Sequence, residues 1–555
     1  MSADDAVLDV RDLRVRFGDT TPVNGVSFTL GRGERMGIVG ESGSGKSLTA
    51  LSIMRLAHQA TVSGQVLLQG QDLLPLPPRQ MQKIRGSRVA MVYQDPMSSL
   101  NPVRTIGHQL VEAIRLHSDA SRATARRRAL DMLGEVGVPQ PQERFSQYPH
   151  EFSGGMRQRV MIAMAMSSGP EVLLADEPTT ALDVTTQSLI IDLLDRLADD
   201  HGTGVVLITH DLGVAAGFCD TVNVMRHGEF VETAPATRLY RSPAHPYTRT
   251  LLGSVVDLTI DVDRPIRTQD RPPAPPATPP APLDADAAPL VRVEHVVKSY
   301  RLGLGEHVRA VDDASFEIRR GQTFGLVGES GSGKSTVSRA VLALTPLDAG
   351  TVSFDGRDLS TVAGPVLRRL RRRMQMVFQD PYAALNRRRT VAEIVTAPLR
   401  AHQIGDRASR RQTVDETLEL VGLGPELRNR LPRSMSGGQC QRVAIARALV
   451  LNPDFLVLDE SVSSLDVSIQ AQVLNLLRDL QTRLGLTYLF ISHDLAVVRY
   501  MAHHVAVMRR GVIVEQGDRD ELFASPEHPY THSLMAAIPI ADPERERRRR
   551  AEIST

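Results

Sequence analysis

Cysteine is nearly absent from this 555-residue chain: Cys219 and Cys440 are the only two, far apart and outside any CxxC pattern. That excludes a disulfide framework, and two thiols cannot supply the four ligands of an all-cysteine zinc or iron–sulfur site. An excess of charge of one sign is missing too, since 65 Lys and Arg are balanced by 64 Asp and Glu for a formal net charge of +1. A chain built to hold nucleic acid usually carries a large basic surplus, so nucleic acid is not the expected partner. No run approaches the roughly 18 uninterrupted apolar residues of a membrane span. The opening MSADDAVLDVRDL lacks the basic-then-apolar order of a secretion signal, so the expectation is a cytoplasmic chain without a span of its own. With 42% apolar and 23% charged residues the composition is that of globular domains, and the length requires more than one core.

What the chain does contain, it contains twice. GESGSGKS at 40–47 returns letter for letter at 328–335. Further landmarks follow in the same order at nearly constant offset: Gln94 and Gln379, Ser153 and Ser436, Asp176 and Asp459, His210 and His493. A chance recurrence of one loop would not bring four other motifs with it, so a unit of about 250 residues is duplicated. Between the copies, RPIRTQDRPPAPPATPPAPLDADAAP (264–289) is too proline-dense for helix or sheet interiors. As polyproline II it reads as a flexible tether reaching roughly 80 Å when extended. The expected organisation is one domain over 1–263, the linker over 264–289, a second domain over 290–540 and a basic tail over 541–555. The tail, PERERRRRAE, reads as solvated and mobile, with anionic lipid headgroups as the alternative contact. RRLRRR (368–373) and NRRR (386–389) read as solvated faces.

Within each copy, short apolar runs (RMGIVG and TFGLVG; EVLLADE and DFLVLDE) alternate with longer helical patterns. That pattern suits strands buried on both faces of a sheet, an α/β architecture. Each GESGSGKS fits GxxxxGK[ST], after an expected strand and before an expected helix. Gly40, Ser42, Gly43 and Gly45, with Gly328, Ser330, Gly331 and Gly333, let backbone N–H groups converge at a helix N-terminus on a polyphosphate. Lys46 and Lys334 meet the β- and γ-phosphates, and Ser47 and Ser335 ligate Mg²⁺. Asp176 and Asp459 end apolar runs as further metal ligands. Glu177 and Glu460, next in the chain, are placed to poise a water for attack on the γ-phosphate.

These features alone also suit a kinase or a GTPase. FSGGMRQR (152–159) and MSGGQCQR (435–442) separate the possibilities, because with them the chain resembles the ATP-binding cassette (ABC) family, whose signature is LSGGQ. The resemblance implies two tandem P-loop NTPase nucleotide-binding domains, each with a mixed β core and a helical signature subdomain. It implies that the loop of each copy is closed by the other copy's signature. Lys46, Asp176, Glu177, Gln94 and His210 then work with Ser436, Gly437 and Gly438, while Lys334, Asp459, Glu460, Gln379 and His493 work with Ser153, Gly154 and Gly155. Gln94 and Gln379 match the family's metal-sensing Q-loop, His210 and His493 its switch histidine, and Asp183 and Asp466 its D-loop. Phe17 and Tyr300 stand where an aromatic stacks on adenine, a contact worth roughly 1 to 3 kcal/mol. Two departures stand out: Met156 occupies the place of the signature glutamine and, as a weak acceptor only, puts that one polar contact in question. Ser461 replaces Pro178 between the copies, a matter of local stiffness.

SPAHPYTRTLL (242–252) and SPEHPYTHSLM (525–535) resemble the HPYT-bearing extension of the oligopeptide, dipeptide and nickel importer ATPases. This implies an ATPase energising import of peptides, with nickel, glutathione, or non-transport work on ribosomes or DNA as alternatives. Also implied are ATP and Mg²⁺ but no iron–sulfur cluster, and a place at the cytoplasmic face of the cell membrane. The implied partners are two transmembrane permeases and an extracytoplasmic solute-binding protein, the fused chain replacing an ATPase heterodimer.

Overall fold

Five- and six-residue apolar runs have no polar face to give to water, and all of them lie inside. Every residue of Val172–Asp176, Gly204–Thr209, Phe455–Asp459 and Thr487–Ser492 is buried. The computed structural model describes residues 6–95, 99–180, 182–268, 288–302, 306–463 and 465–553. Most of the proline-rich segment expected to be a tether, residues 269–287, lies outside the described residues. The chain divides into two units, residues 1–255 with 539–555, and residues 256–538.

In unit 1 the central sheet has strands β1 (Arg35–Val39), β2 (Val89–Val92), β3 (Val172–Asp176), β4 (Gly204–Thr209), β5 (Thr221–Arg226) and β6 (Glu229–Pro235), in the order β6-β5-β1-β4-β3-β2. All neighbours are parallel except the β5–β6 hairpin. An antiparallel sheet built on the long strands Ala6–Phe17 and Thr20–Gly31 packs against it through a shared core of Leu8, Val10, Leu30, Ile38 and Leu174. On the other face lie α2 (Gly154–Met166), α3 (Val184–His201) and α4 (Leu212–Phe218), with helices Ile106–Leu116 and Arg122–Glu135 continuing the same core into a helical lobe. Helix α1 (Lys46–Ile53) follows β1, and α5 (Pro246–Gly253) closes the extension.

Unit 2 repeats the plan. Strands β7 (Thr323–Val327), β8 (Met374–Val377), β9 (Phe455–Asp459), β10 (Thr487–Ser492), β11 (His504–Arg509) and β12 (Val512–Asp518) are ordered β8-β9-β10-β7-β11-β12. Its corresponding helices are α6 (Lys334–Val341), α7 (Gly437–Leu449), α8 (Val467–Leu484), α9 (Leu495–Met501) and α10 (Pro529–Ala537). The α/β class and the mixed sheets with helical lobes are therefore as read from the sequence.

The expected boundaries at 263 and 540 differ from the units found. Residues 256–268 belong to unit 2, and 539–555 to unit 1. The tail corrects a second expectation. Part of it stays exposed, Glu544, Arg545, Arg547 and Arg548 included, but Pro543–Ile553 forms helix α11, started by Asp542, whose carboxylate accepts from the N–H groups of Glu544 and Arg545 at 3.0 and 3.1 Å. Glu546 on that helix is only 2% exposed, and Arg550 is paired with two aspartates of α3. A charge run reads as solvated when its partners lie hundreds of residues away in sequence. The RRLRRR stretch is also partly anchored, by partners nearer in sequence: Arg373 pairs with Asp355 and Asp454, and Arg371 donates to the Ala343 carbonyl. NRRR at 386–389 is exposed, as read.

Candidate functional site

Each Gly-rich loop runs from the end of a central strand into a helix, β1 into α1 and β7 into α6. Gly40 is required by close approach: a Cβ there would lie 2.2 Å from the Met225 carbonyl, and at Gly328 2.1 Å from that of Met508. Lys46 is buried and its ammonium donates to the carbonyls of Gly40 and Glu41 at 2.8 and 2.9 Å, folding the side chain back over its own loop. Lys334 does the same with Gly328 and Glu329 at 2.7 and 2.8 Å. Ser47 donates its hydroxyl to Asp176 at 2.9 Å, and Ser335 donates to Asp459 at 3.2 Å. A hydroxyl and one carboxylate side by side at the mouth of a phosphate loop fit Mg²⁺, which takes few protein ligands and completes its shell with phosphate oxygens and water.

Burial pushes the Asp176 carboxyl up to about 6, against the Ser47 hydrogen bond, with the neighbouring Glu177 charge adding to the rise. Asp459 is raised for the same reason, but two hydroxyls oppose it, because Ser338 also donates, at 3.1 Å. The position matching Ser338 in unit 1 is Ala50, so Asp176 lacks that second donor. A buried carboxyl that resists ionising is one whose environment wants a cation.

Glu177 lies beyond β3 with a positive φ of 45°, and Glu460 has φ 46°. This strained turn aims each carboxylate back across the end of the sheet, where it meets the other expected residues. Gln94 donates to Glu177 Oε2 at 2.8 Å, and His210 Nδ1 lies 3.3 Å from the same oxygen. In unit 2, Gln379 donates to Glu460 Oε2 at 2.7 Å, with His493 Nδ1 at 3.6 Å. Burial raises the Glu177 pKa, but the His210 hydrogen bond and charge, the Thr180 hydroxyl and Lys46 outweigh it and hold the carboxyl down to about 2. Glu460 is lowered by His493 and Lys334 against the same burial.

Thr180, which sequence reasoning passed over, donates to Glu177 at 2.8 Å. Its position three residues past the acid was the available signal. Ser463, at the matching place, leaves a buried hydroxyl without a hydrogen-bond partner among the described residues, as does Ser461 where unit 1 has Pro178. Unit 2 therefore holds its carboxylate with fewer side-chain hydrogen bonds, while the Lys334 ammonium lies 3.8 Å from Glu460 Oε1.

The signature residues sit apart from the loops, at the N-termini of α2 and α7. Ser153 and Ser436 are the N-caps, accepting from Met156 and Gln439 N–H at 3.3 Å in both units. Gln439 returns the bond through Oε1 to the Ser436 N–H at 3.1 Å, a reciprocal cap that Met156 cannot make. The paired glycines divide the work. A Cβ on Gly155 would strike Thr186 at 2.5 Å, and one on Gly438 would strike Ile469 at 2.5 Å, whereas Gly154 and Gly437 have nothing nearer than 3.6 Å. Asp183 caps α3, accepting from the Thr186 N–H at 2.9 Å. Phe17 is partly buried against the sheet core. Tyr300 is 37% exposed, with the Lys298 ammonium 5.7 Å from its ring centre.

The two HPYT stretches have clear local roles. His245 and His528 are N-caps, each accepting through Nδ1 from the tyrosine N–H, and the proline takes the first helical position. The tyrosines are buried under Arg226 and Arg509, each 4.7 Å from the ring centre. Tyr530 goes further: its hydroxyl accepts from the Glu329 N–H in the Gly-rich loop at 3.3 Å.

A family model described as "ABC transporter" matches residues 23–180 and 311–463, and one described as "Oligopeptide/dipeptide transporter, C-terminal region" matches 231–280 and 514–555. The glutathione import ATP-binding protein GsiA of Salmonella typhimurium strain LT2 is 46% identical over 99% of this chain and 92% of its own length. That of Escherichia coli K12 matches with the same identity and coverage. Among solved structures, the dimeric ATP-binding cassette MJ0796 bound to ADP and Pi is 30% identical with a TM-score of 0.39, covering 41% of this chain and 98% of its own.

Proposed function

The chain belongs to the ABC transporter family as a fused double-cassette importer ATPase, and from that premise we propose that its two units clasp two ATP molecules, each signature completing the other unit's loop. Support comes from one observation above all: both units hold the same Ser–Asp pair and the same Gln–Glu–His cluster in nearly the same geometry. Neither site has lost its acid, so both turn over.

Lys46 and Lys334 exchange their loop carbonyls for phosphate oxygens, and the loop N–H groups bind the same anion. Ser47 with Asp176, and Ser335 with Asp459, would hold Mg²⁺, with Gln94 and Gln379 as further ligands. Mg²⁺ supplies neutralisation of charge on the transferring phosphoryl group. Glu177 and Glu460 stay ionised at neutral pH and orient the attacking water by accepting its hydrogen bond. His210 and His493 fix those carboxylates. Ser153, Gly154 and Gly155 in one site, and Ser436, Gly437 and Gly438 in the other, present helix N-termini to the γ-phosphate. An iron–sulfur cluster does not fit this chain, because its two cysteines are buried and lie one in each unit.

The work done is peptide import at the cytoplasmic face of the membrane, through two permeases and an extracytoplasmic solute-binding protein. No helix among the described residues is long and apolar enough to cross a membrane, so the motion must be handed to partners that do. Small peptides are favoured as cargo: the extension matches an oligopeptide/dipeptide model, and glutathione, named for the relatives, is itself a peptide. The test is purification of the tagged chain from membranes. Two multi-span permeases should accompany it, and a peptide-loaded binding protein should stimulate ATPase in the reconstituted complex. Stimulation by nickel instead, or recovery of ribosomes or DNA, overturns the reading.

A further inference from the structure

Two short segments of the chain lie on the unit that their position in sequence does not suggest. Residues 256–268 follow the first HPYT extension yet pack in unit 2, and residues 539–553 follow the second yet pack in unit 1. Both land on matched surfaces, the helix after the acidic strand and the short helix after the switch histidine: α8 and α9 in one case, α3 and α4 in the other.

The two surfaces differ in chemistry at matched positions. On α3, Asp192 and Asp195 take the guanidinium of Arg550 at 2.9 and 2.8 Å, and that side chain is 11% exposed. Arg550 also donates to the Gly217 carbonyl on α4 at 3.3 Å, and Arg547 donates to the Cys219 carbonyl at 3.2 Å. The α4 glycines let the segment come close: a Cβ on Gly213 would meet Pro539 at 2.7 Å, and one on Gly217 would meet Glu546 at 2.3 Å. The counterparts of Asp192, Asp195 and Gly217 in unit 2 are Asn475, Arg478 and Tyr500. There the guest is held by its backbone. Asn475 both donates to and accepts from Ile266, at 2.8 and 3.0 Å, Arg478 donates to the Val262 carbonyl at 2.7 Å, and Tyr500 donates to that of Arg264 at 3.3 Å.

We propose that these segments are exchanged straps, each docking on the cassette of the other copy, and that they keep the two cassettes associated without nucleotide and without the proline-rich linker. The exchange is addressed by charge and shape. On α8, Arg478 would repel an arginine docked as Arg550 docks on α3, and on α9 the Tyr500 side chain would fill the room that Gly217 leaves for Glu546 in unit 1. Neither strap can take the other's berth. The ionic strap loosens with salt, while the amide and tyrosine berth on unit 2 is far less sensitive.

A protease site inserted between residues 270 and 286 of the full-length protein, with a tag on the first half, tests this. After cleavage without nucleotide or Mg²⁺, the tagged half should retain the other at one to one. Removing 539–555, or making Arg547→Glu with Arg550→Glu, should speed dissociation at least about tenfold. Arg547→Lys with Arg550→Lys should retain most of the association, and Arg550→Glu should be partly rescued by Asp192→Lys with Asp195→Lys. Hydrogen exchange on α4 should rise in the glutamate variant while α1 stays protected, which separates strap release from loss of the unit's fold. The proposal is overturned if the cut halves part immediately, or if strap removal leaves their dissociation and α4 exchange unchanged.

Discussion

Gln94 donates its side-chain amide to Oε2 of Glu177 at 2.8 Å, so the residue expected to sense metal and the residue expected to poise water share a bond. Gln379 and Glu460 repeat it at 2.7 Å. With the acid held ionised in both units, each site should depend on its own carboxylate. Glu177→Gln and Glu460→Gln, made singly, should each lower steady-state ATPase by at least about 100-fold, the lower end for loss of a positioned acid–base group. Near-normal turnover after one of the changes would show that site to be dispensable.

Asp176 carries a cost that a bound Mg²⁺ would offset. Its carboxyl ionises near 6 in the folded chain against an ordinary 3.8, so the folded state binds the proton more tightly than the unfolded one does. Stability is then lost as pH rises from about 4 to about 6, and the full penalty, up to about 3 kcal/mol, persists above that. Asp176→Asn should therefore stabilise metal-free, nucleotide-free protein at pH 8, leave stability near pH 4 unchanged, and abolish Mg²⁺-dependent ATPase. Denaturant unfolding at the two pH values checks it. A destabilised Asn variant at pH 8 contradicts the assignment.

Local motifs were legible because their chemistry is local. A Gly loop, an apolar run and the acid that ends it lie within a few residues of one another, and their strand and helix settings follow from hydrophobic patterning, as β3 with Asp176 and Glu177 shows. What the sequence concealed depends on distance. Nothing near PERERRRRAE announces that Arg550 meets Asp192 and Asp195, more than 350 residues earlier. The HPYT letters marked a family resemblance, but Tyr530 reaching the Glu329 N–H needs the fold of the extension to be known.

That contact gives a third prediction. Removing the Tyr530 hydroxyl leaves the Glu329 N–H without the oxygen it donates to, a loss of about 1 kcal/mol. Tyr530→Phe should weaken ATP binding to the unit 2 loop several-fold, measured with a fluorescent nucleotide in the Lys46→Ala background so that only this loop reports. Unchanged affinity would mean that the extension and the loop are energetically independent.

Met156 breaks the reciprocal cap that Ser436 and Gln439 complete in the other unit. Met156→Gln should restore it and stabilise unit 1 by about 0.5 to 1 kcal/mol. Thermal unfolding followed by hydrogen exchange on α2 reads the gain. No stabilisation would place the value of that glutamine outside the unit that bears it.

The signature glycines allow packing to be separated from phosphate recognition. Gly155→Ala forces a Cβ into Thr186 and should destabilise unit 1 by about 1 to 3 kcal/mol, the range for overpacking, losing ATPase with its fold. A Cβ on Gly154 would meet Leu182 no nearer than 3.6 Å, so Gly154→Ala should leave thermal stability unchanged or slightly raised, alanine being the better helix former. If its backbone N–H must come close to a γ-phosphate contributed with the other loop, the methyl group obstructs that approach, and ATPase should fall at least about tenfold despite an intact fold. A Gly154→Ala protein that is both stable and fully active would show that the signature helix does not approach the nucleotide at this residue, and with it the composite arrangement of the two sites would fail.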